Sequence, residues 1–200
     1  MDLLKGTVFE DAIFRGLQHG TTKIAFKEFV DVKFVKCSFQ DSAFVDCKFI
    51  NCTFNNCNLT MLGVDRSQFS NVVFEECQAV GINWTKASWD KKGFFRSIHF
   101  HGCTLNYSSF FGLKLPKMKM TDCVAHEVDF GQADVTDGIF TGTDFGGSIF
   151  MQTTLTSANF VGASNYHIAP LHNVLKKAKF SLPEALSLLH GLEITLVDSD

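Results

Sequence analysis

From Phe29 onward an apolar residue returns at every fifth position, through 34, 39, 44 and so on to Trp89. One additional residue shifts the beat, which resumes at Phe95 and runs to Phe160. Sixteen of these central positions are Phe and four are Leu; the others are Val64, Ala79, Trp84, Trp89, Met120, Ala125 and Val135. The position two residues before each centre is nearly as restricted. It holds Val32, Cys37, Ser42, Cys47, Cys52 and Cys57 in the first stretch and Cys103, Ser108, Cys123, Thr143 and Ser148 in the second; only Lys27 breaks it with a charge. The other three positions of each repeat carry nearly all the Asp, Glu, Lys, Asn and Gln. One large and one small side chain therefore point inward, and three point out.

A period of five fits neither a helix at 3.6 residues per turn nor a strand at two. It fits a chain that turns a corner every five residues, so that four corners close a coil of 20. Stacked coils would pair their backbones at the ordinary strand spacing of about 4.8 Å. The cysteines carry the same period, with Cys37, Cys57 and Cys77 spaced by 20, and Cys103 and Cys123 likewise. The expected fold is all-β: a right-handed, four-sided (quadrilateral) β-helix with columns such as Phe34, Phe54, Phe74 and Cys37, Cys57, Cys77 in its core. Phe9 and Phe14 share the phase, so the helix is expected over 1–165, with a disturbed coil at 17–26 and a one-residue insertion near 90–94.

Beyond Phe160 the beat stops, and 166–200 is expected to be a helical cap. Pro170 to Lys179 reads as a short helix. Ser181-Leu182-Pro183-Glu184 has the form of a capping box opening a second one, with Gly191 past its end. Ile194 to Val197 reads as a short strand. An open coil end must be covered. The apolar residues Phe180, Leu182, Leu186, Leu189, Ile194 and Leu196 make this cap the expected contact of a homodimer.

Composition narrows the chemistry. The 200 residues hold 22 Phe against two Tyr and two Trp, and a net charge of −3 gives no basic footprint for direct nucleic-acid binding. Met1 to Lys5 lacks the basic and apolar stretches of a secretion signal, and no apolar run is long enough for a membrane span, so a cytoplasmic setting with reduced thiols is expected. The seven Cys all occupy inward small positions without a Cys-x-x-Cys pair, which reads as buried small hydrophobes rather than a metal or redox site. The seven His are scattered, inward Ser hydroxyls are out of reach of substrate, and no phosphate loop or nucleophile elbow occurs. No catalytic residue, cofactor or metal is expected.

Two irregularities remain. The Asp90–Phe95 stretch reads either as a partner-contacting loop or as a bulge making room for Trp84 and Trp89. Between 121 and 165 stand six acids (Asp122, Glu127, Asp129, Asp134, Asp137 and Asp144) and no Lys or Arg, whereas 1–100 is balanced. The register spreads them around all four sides as a belt, which is either a solvated surface or one resembling duplex DNA, itself a rod of regular negative charge.

Segments such as Cys47-Lys48-Phe49-Ile50-Asn51, Cys52-Thr53-Phe54-Asn55-Asn56 and Ala158-Asn159-Phe160-Val161-Gly162 resemble the pentapeptide repeat family. Val80 to Thr85, Asn165 to Ile168 and Phe180 to Ala185 are similar to its albicidin- and quinolone-resistance (Qnr) members. That resemblance implies a cytosolic dimer joined at the C-terminal caps. It implies binding to DNA gyrase or topoisomerase IV as a DNA mimic, and protection of the enzyme from its poisons. The alternative is an interaction scaffold unrelated to topoisomerases.

Overall fold

In each repeat the backbone runs extended through the central residue and then turns. The corner residue, two after the centre, has positive φ from Asp11 (48°), Gly16 (63°) and Thr21 (54°) onward at almost every fifth position. That left-handed step suits Gly, Asn and Asp, which is why these types recur there. The computed structural model, which describes residues 3, 5–89, 97–192, 194 and 197, is a four-sided parallel β-helix of about eight turns.

Face 1 stacks Val8–Glu10, Glu28–Val30, Lys48–Ile50 and Gln68–Ser70 in parallel. Face 2 stacks six strands, from Ile13–Arg15 through Thr53–Asn55 and Val72–Glu75 to Lys119–Thr121. Face 3 is a ladder of single bridges, Gln18 to Ser38 to Asn58 to Gln78, and face 4 pairs Lys23–Ala25 with Ala43–Val45. The centres fill the interior as slipped aromatic piles. On face 2 the rings of Phe34 and Phe54 stack at 4.5 Å, Phe54 and Phe74 at 5.1 Å, and Phe74 and Phe100 at 4.9 Å. Neighbouring faces meet edge to face, as Phe29 does with Phe34. Both arrangements suit the ring quadrupole.

The small inward position has a polar task. Its backbone N–H bonds the carbonyl of the preceding centre at some corners, as Ser67 does with Val64; at others the side chain one coil on accepts it instead. Ser67 Oγ accepts from Cys47 N–H (3.0 Å) and donates to the Phe44 carbonyl (3.0 Å). Ser42, Ser108 and Ser148 make the same two bonds. Cysteine is a weaker version: Cys77 Sγ takes Cys57 N–H at 3.4 Å and faces the Phe54 carbonyl at 3.4 Å. A buried N–H left without a partner costs free energy, so Ser, Thr and Cys recur at a position where size alone would admit Ala.

Four expectations are corrected. Residues 17–26 form a regular coil: Gln18 pairs with Ser38 and Ile24 with Phe44, because His19 and Ile24 fill the centres well enough at an end of the rod. Across the central break, Phe74 pairs with Phe100, Cys77 with Cys103, and Ile82 with Ser108, each 26 residues on. This turn therefore holds six residues more than 20, one whole repeat plus one, and the phase shift showed only the remainder. The Asp90–Phe95 stretch itself lies outside the described residues. Third, the coil does not stop at Phe160. Thr154 bridges Val174, and Phe160 pairs and stacks with Phe180 at 5.2 Å. Only Pro170–His172 of the expected 170–179 helix is helical, as one 3-10 turn.

The fourth concerns the capping box, which does not form. The helical end is short, Glu184–Leu186 followed by Ser187–His190, and Pro183 at its start offers no side-chain cap. Ser181 Oγ instead accepts from Gly162 N–H (2.9 Å) and Glu184 Oε1 from Asn165 N–H (2.6 Å). Elsewhere such N–H groups bond a carbonyl 19 residues on, as Asp122 does with Thr141. Two side chains thus stand where another coil's carbonyls would be, and they close the edge.

Candidate interaction surface

With nearly all of the described centres and small positions turned inward, what the molecule presents is four flat sides and four corners. All seven cysteines are buried and unbridged. Burial pushes the Cys52 thiol up to about 11 and raises Cys47 as well. Among the described residues no group of three or more His, Cys, Asp or Glu is placed to hold a metal ion, and no helix is long and apolar enough to cross a membrane.

The six acids of 121–165 fall into two kinds. Asp122, Glu127 and Asp137 occupy corners with φ of 53°, 53° and 57° and are exposed. Asp129, Asp134 and Asp144 lie on faces, half-buried, each accepting the N–H two residues on with Oδ1, at 2.8, 3.1 and 3.1 Å. Asn58, Asn83 and Asn159 make the same bond without a charge. The turn therefore needs the oxygen, and at Asp129 and Asp134 it does not need the negative charge.

The belt does encircle the rod, but its field is uneven. Asp134 pairs through its backbone with Lys114 in the coil below, and Lys117 precedes Asp137 by one turn on the same corner. Asp122 lies 3.6 Å from His101 Nδ1. Asp144 lies 2.9 Å from His126 Nε2; partial burial works against its charge, but the bonds from His126, Asn165 and Gly146 outweigh it and hold the carboxyl below its usual range. No Lys or Arg stands one coil above or below Glu127, Asp129 or Asp144, while none of Glu127, Asp129, Asp134 and Asp137 makes a salt bridge among the described residues. The unopposed charge thus gathers where faces 3 and 4 meet, and Lys114, Lys117 and Lys119 gather at the opposite corner. His99 is half-buried: its Nδ1 accepts the Lys119 N–H at 3.1 Å, and burial together with Lys119 lowers its pKa.

Of the expected cap residues, Phe180 is half-buried against the Phe160 ring, and Leu189 is half-buried. Leu182 and Leu186 are 76% and 50% exposed, and Ile194 is open as well. Leu196 lies outside the described residues. The exposed Tyr107, Phe111, Ile149 and Met151 carry no signal in the five-residue period, since all four stand at outward positions.

A closed four-sided helix that shows surface rather than a cleft defines a class. The description "Pentapeptide repeat region" matches residues 27–110 and "Pentapeptide repeats (8 copies)" matches residues 140–164, together more than half of the chain. The chain belongs to the pentapeptide repeat family. Its fold is similar to a trypsin-treated form of QnrB1, a plasmid-mediated fluoroquinolone resistance protein, with a TM-score of 0.76 at 16% identity over 96% of this chain and 99% of that one. A second trypsin-treated form gives 0.72 at 17% identity over 96% and 100%. The full-length form gives 0.51 at 18% over 91% and 100%. No significant match occurs among curated proteins.

Proposed function

We propose that this chain is a non-enzymatic, cytoplasmic binding protein of the Qnr type. It binds a type II topoisomerase, DNA gyrase first, as a DNA mimic and protects it from poisons such as quinolones or albicidin. The observation that carries the reading is the charge of the segment 121–165: six carboxylates and no Lys or Arg, on a rod of constant section. Fields of this kind set association rate and specificity more than raw affinity. The fold likeness to QnrB1 over nearly the whole of both chains supports it. The exposed Leu182 and Leu186 support a homodimer joined at the C-terminal ends.

A scaffold unrelated to topoisomerases is the second reading, favoured by the net charge of only −3 and by the Lys114, Lys117, Lys119 corner, which a DNA-binding groove would repel. Gyrase supercoiling in the presence of a quinolone or albicidin separates the two. Relief of inhibition by the added chain supports the first; no relief, with no gyrase binding, leaves the scaffold.

A further inference from the structure

On face 4, Phe111, Gly131 and Met151 occupy the same position in three successive coils, as the ladder Gly112 N–H to Gly131 C=O and Gln132 N–H to Met151 C=O fixes. Ser109, Asp129 and Ile149 form the parallel column beside them. Phe111, Ile149 and Met151 are 46, 53 and 49% exposed, and Tyr107, on the adjoining corner, 63%. Aromatic residues and Met left this open are the types enriched at the centres of protein interfaces.

Gly131 seats the Phe111 ring. It is not among the positive-φ corners, yet a Cβ there would come within 3.1 Å of the Phe111 ring and 3.0 Å of Asp129 Oδ1. Gly131 is buried beneath that ring, and Phe111, Ile149 and Met151 are the exposed apolar surface around it. Glu127 and Asp129, the unopposed acids, flank it, and Gly147 leaves the corner above Glu127 bare.

We infer that this face is a docking site for a basic amphipathic segment of a protein partner. Its apolar side chains pack on Phe111, Ile149 and Met151, and flanking Lys or Arg reach Glu127 and Asp129. Charge complementarity decides the occupant. A nucleic acid or an anionic lipid surface would meet carboxylates. A second copy docked face to face would oppose Glu127 and Asp129 to themselves, because this chain's own lysine cluster is at the far corner. The inference does not rest on the topoisomerase reading: a partner of any identity with such a segment would fit.

The test uses the full chain and a synthetic amphipathic peptide of Leu and Lys, with its Leu and Glu counterpart as control, in titration calorimetry at physiological ionic strength. The Lys peptide is expected to bind and the Glu peptide not. Phe111→Ser with Met151→Ser should weaken binding about tenfold or more, since central apolar anchors dominate such contacts, and Gly131→Leu, which forces the Phe111 ring off its seat, should do the same. Val8→Ser with Ile13→Ser, exposed apolar residues of the first coil, should change nothing. Circular dichroism melts of the same variants confirm that each is folded. Equal binding of the Glu peptide, or wild-type binding by both patch variants, would overturn the inference. So would self-association in sedimentation that Phe111→Ser abolishes. Gyrase protection that survives the patch variants leaves the topoisomerase reading intact while this one is judged by the peptide.

Discussion

The rings of Phe54 and Phe74 lie 5.1 Å apart and 14° from parallel, one coil above the other, with both side chains 1% exposed. Neither has room to be replaced from solvent. Phe74→Ala should therefore cost about 3–5 kcal/mol, the range for emptying a packed aromatic site. Val73, one residue before it, points outward between Thr53 and His99. Val73→Lys should stay within about 0.5 kcal/mol of wild type. Denaturant melts of the two variants check the register, and equal losses would contradict it.

The coil edge closed by side chains gives a second expectation. Ser181→Ala and Glu184→Ala each free an N–H of the last full coil, at Gly162 and Asn165. Each should lower stability by about 0.5–2 kcal/mol, as loss of a helix cap does. Glu184→Gln keeps an acceptor and should lose little. A double alanine variant that melts like wild type would remove this role.

Alkali should weaken the fold. Burial pushes Cys52 from 9.0 to about 11 and, with Glu184 nearby, Tyr166 from 10.0 to about 12. A pKa raised by folding contributes stability that is whole below the unfolded value and is lost as pH rises through the folded one. Urea midpoints should hold to about pH 9 and fall from there toward about 11. Below that range the seven buried thiols should resist a disulfide reagent until denaturant is added; rapid labelling of the native chain would contradict their burial.

The C-terminal end should hold the dimer. Leu182→Glu with Leu186→Glu changes two exposed side chains and leaves Ser181 and Glu184 to close the coil. Sedimentation should show monomers for this variant and dimers for wild type. Dimers in both would move the contact elsewhere.

The inward and outward positions, the Phe and Cys columns and the β-helix itself were legible because a five-residue period follows from one repeated corner. What escaped was anything that keeps the phase but changes the count. A whole repeat added between Trp89 and Ile98 is invisible to arithmetic in fives. The last coil was missed because Tyr166 and Ile168 fill the core off the beat, both buried. Ser181 and Glu184 have the spacing of a capping box, and only the position of Gly162 and Asn165 shows that their oxygens serve the coil instead. The acids could be counted from sequence. That Lys114 and Lys117 offset Asp134 and Asp137 needed the 20-residue register in three dimensions.

That uneven charge supplies the most direct test of the binding account. Glu127→Gln, Asp129→Asn and Asp144→Asn together remove the charge where faces 3 and 4 meet and keep the oxygens that the turns use. Exposed carboxylates add little to stability, so the melting temperature should fall only by what the Asp144–His126 pair contributes. Affinity for gyrase, measured by surface plasmon resonance across a salt series, should be high for wild type at low salt and fall steeply as salt rises, since screening acts within about 8–10 Å. The triple variant should bind weakly at every salt concentration, while Asp134→Asn with Asp137→Asn, on the lysine side, should bind nearly as wild type does. Wild-type affinity that ignores salt, or a triple variant that binds gyrase undiminished, would contradict the account.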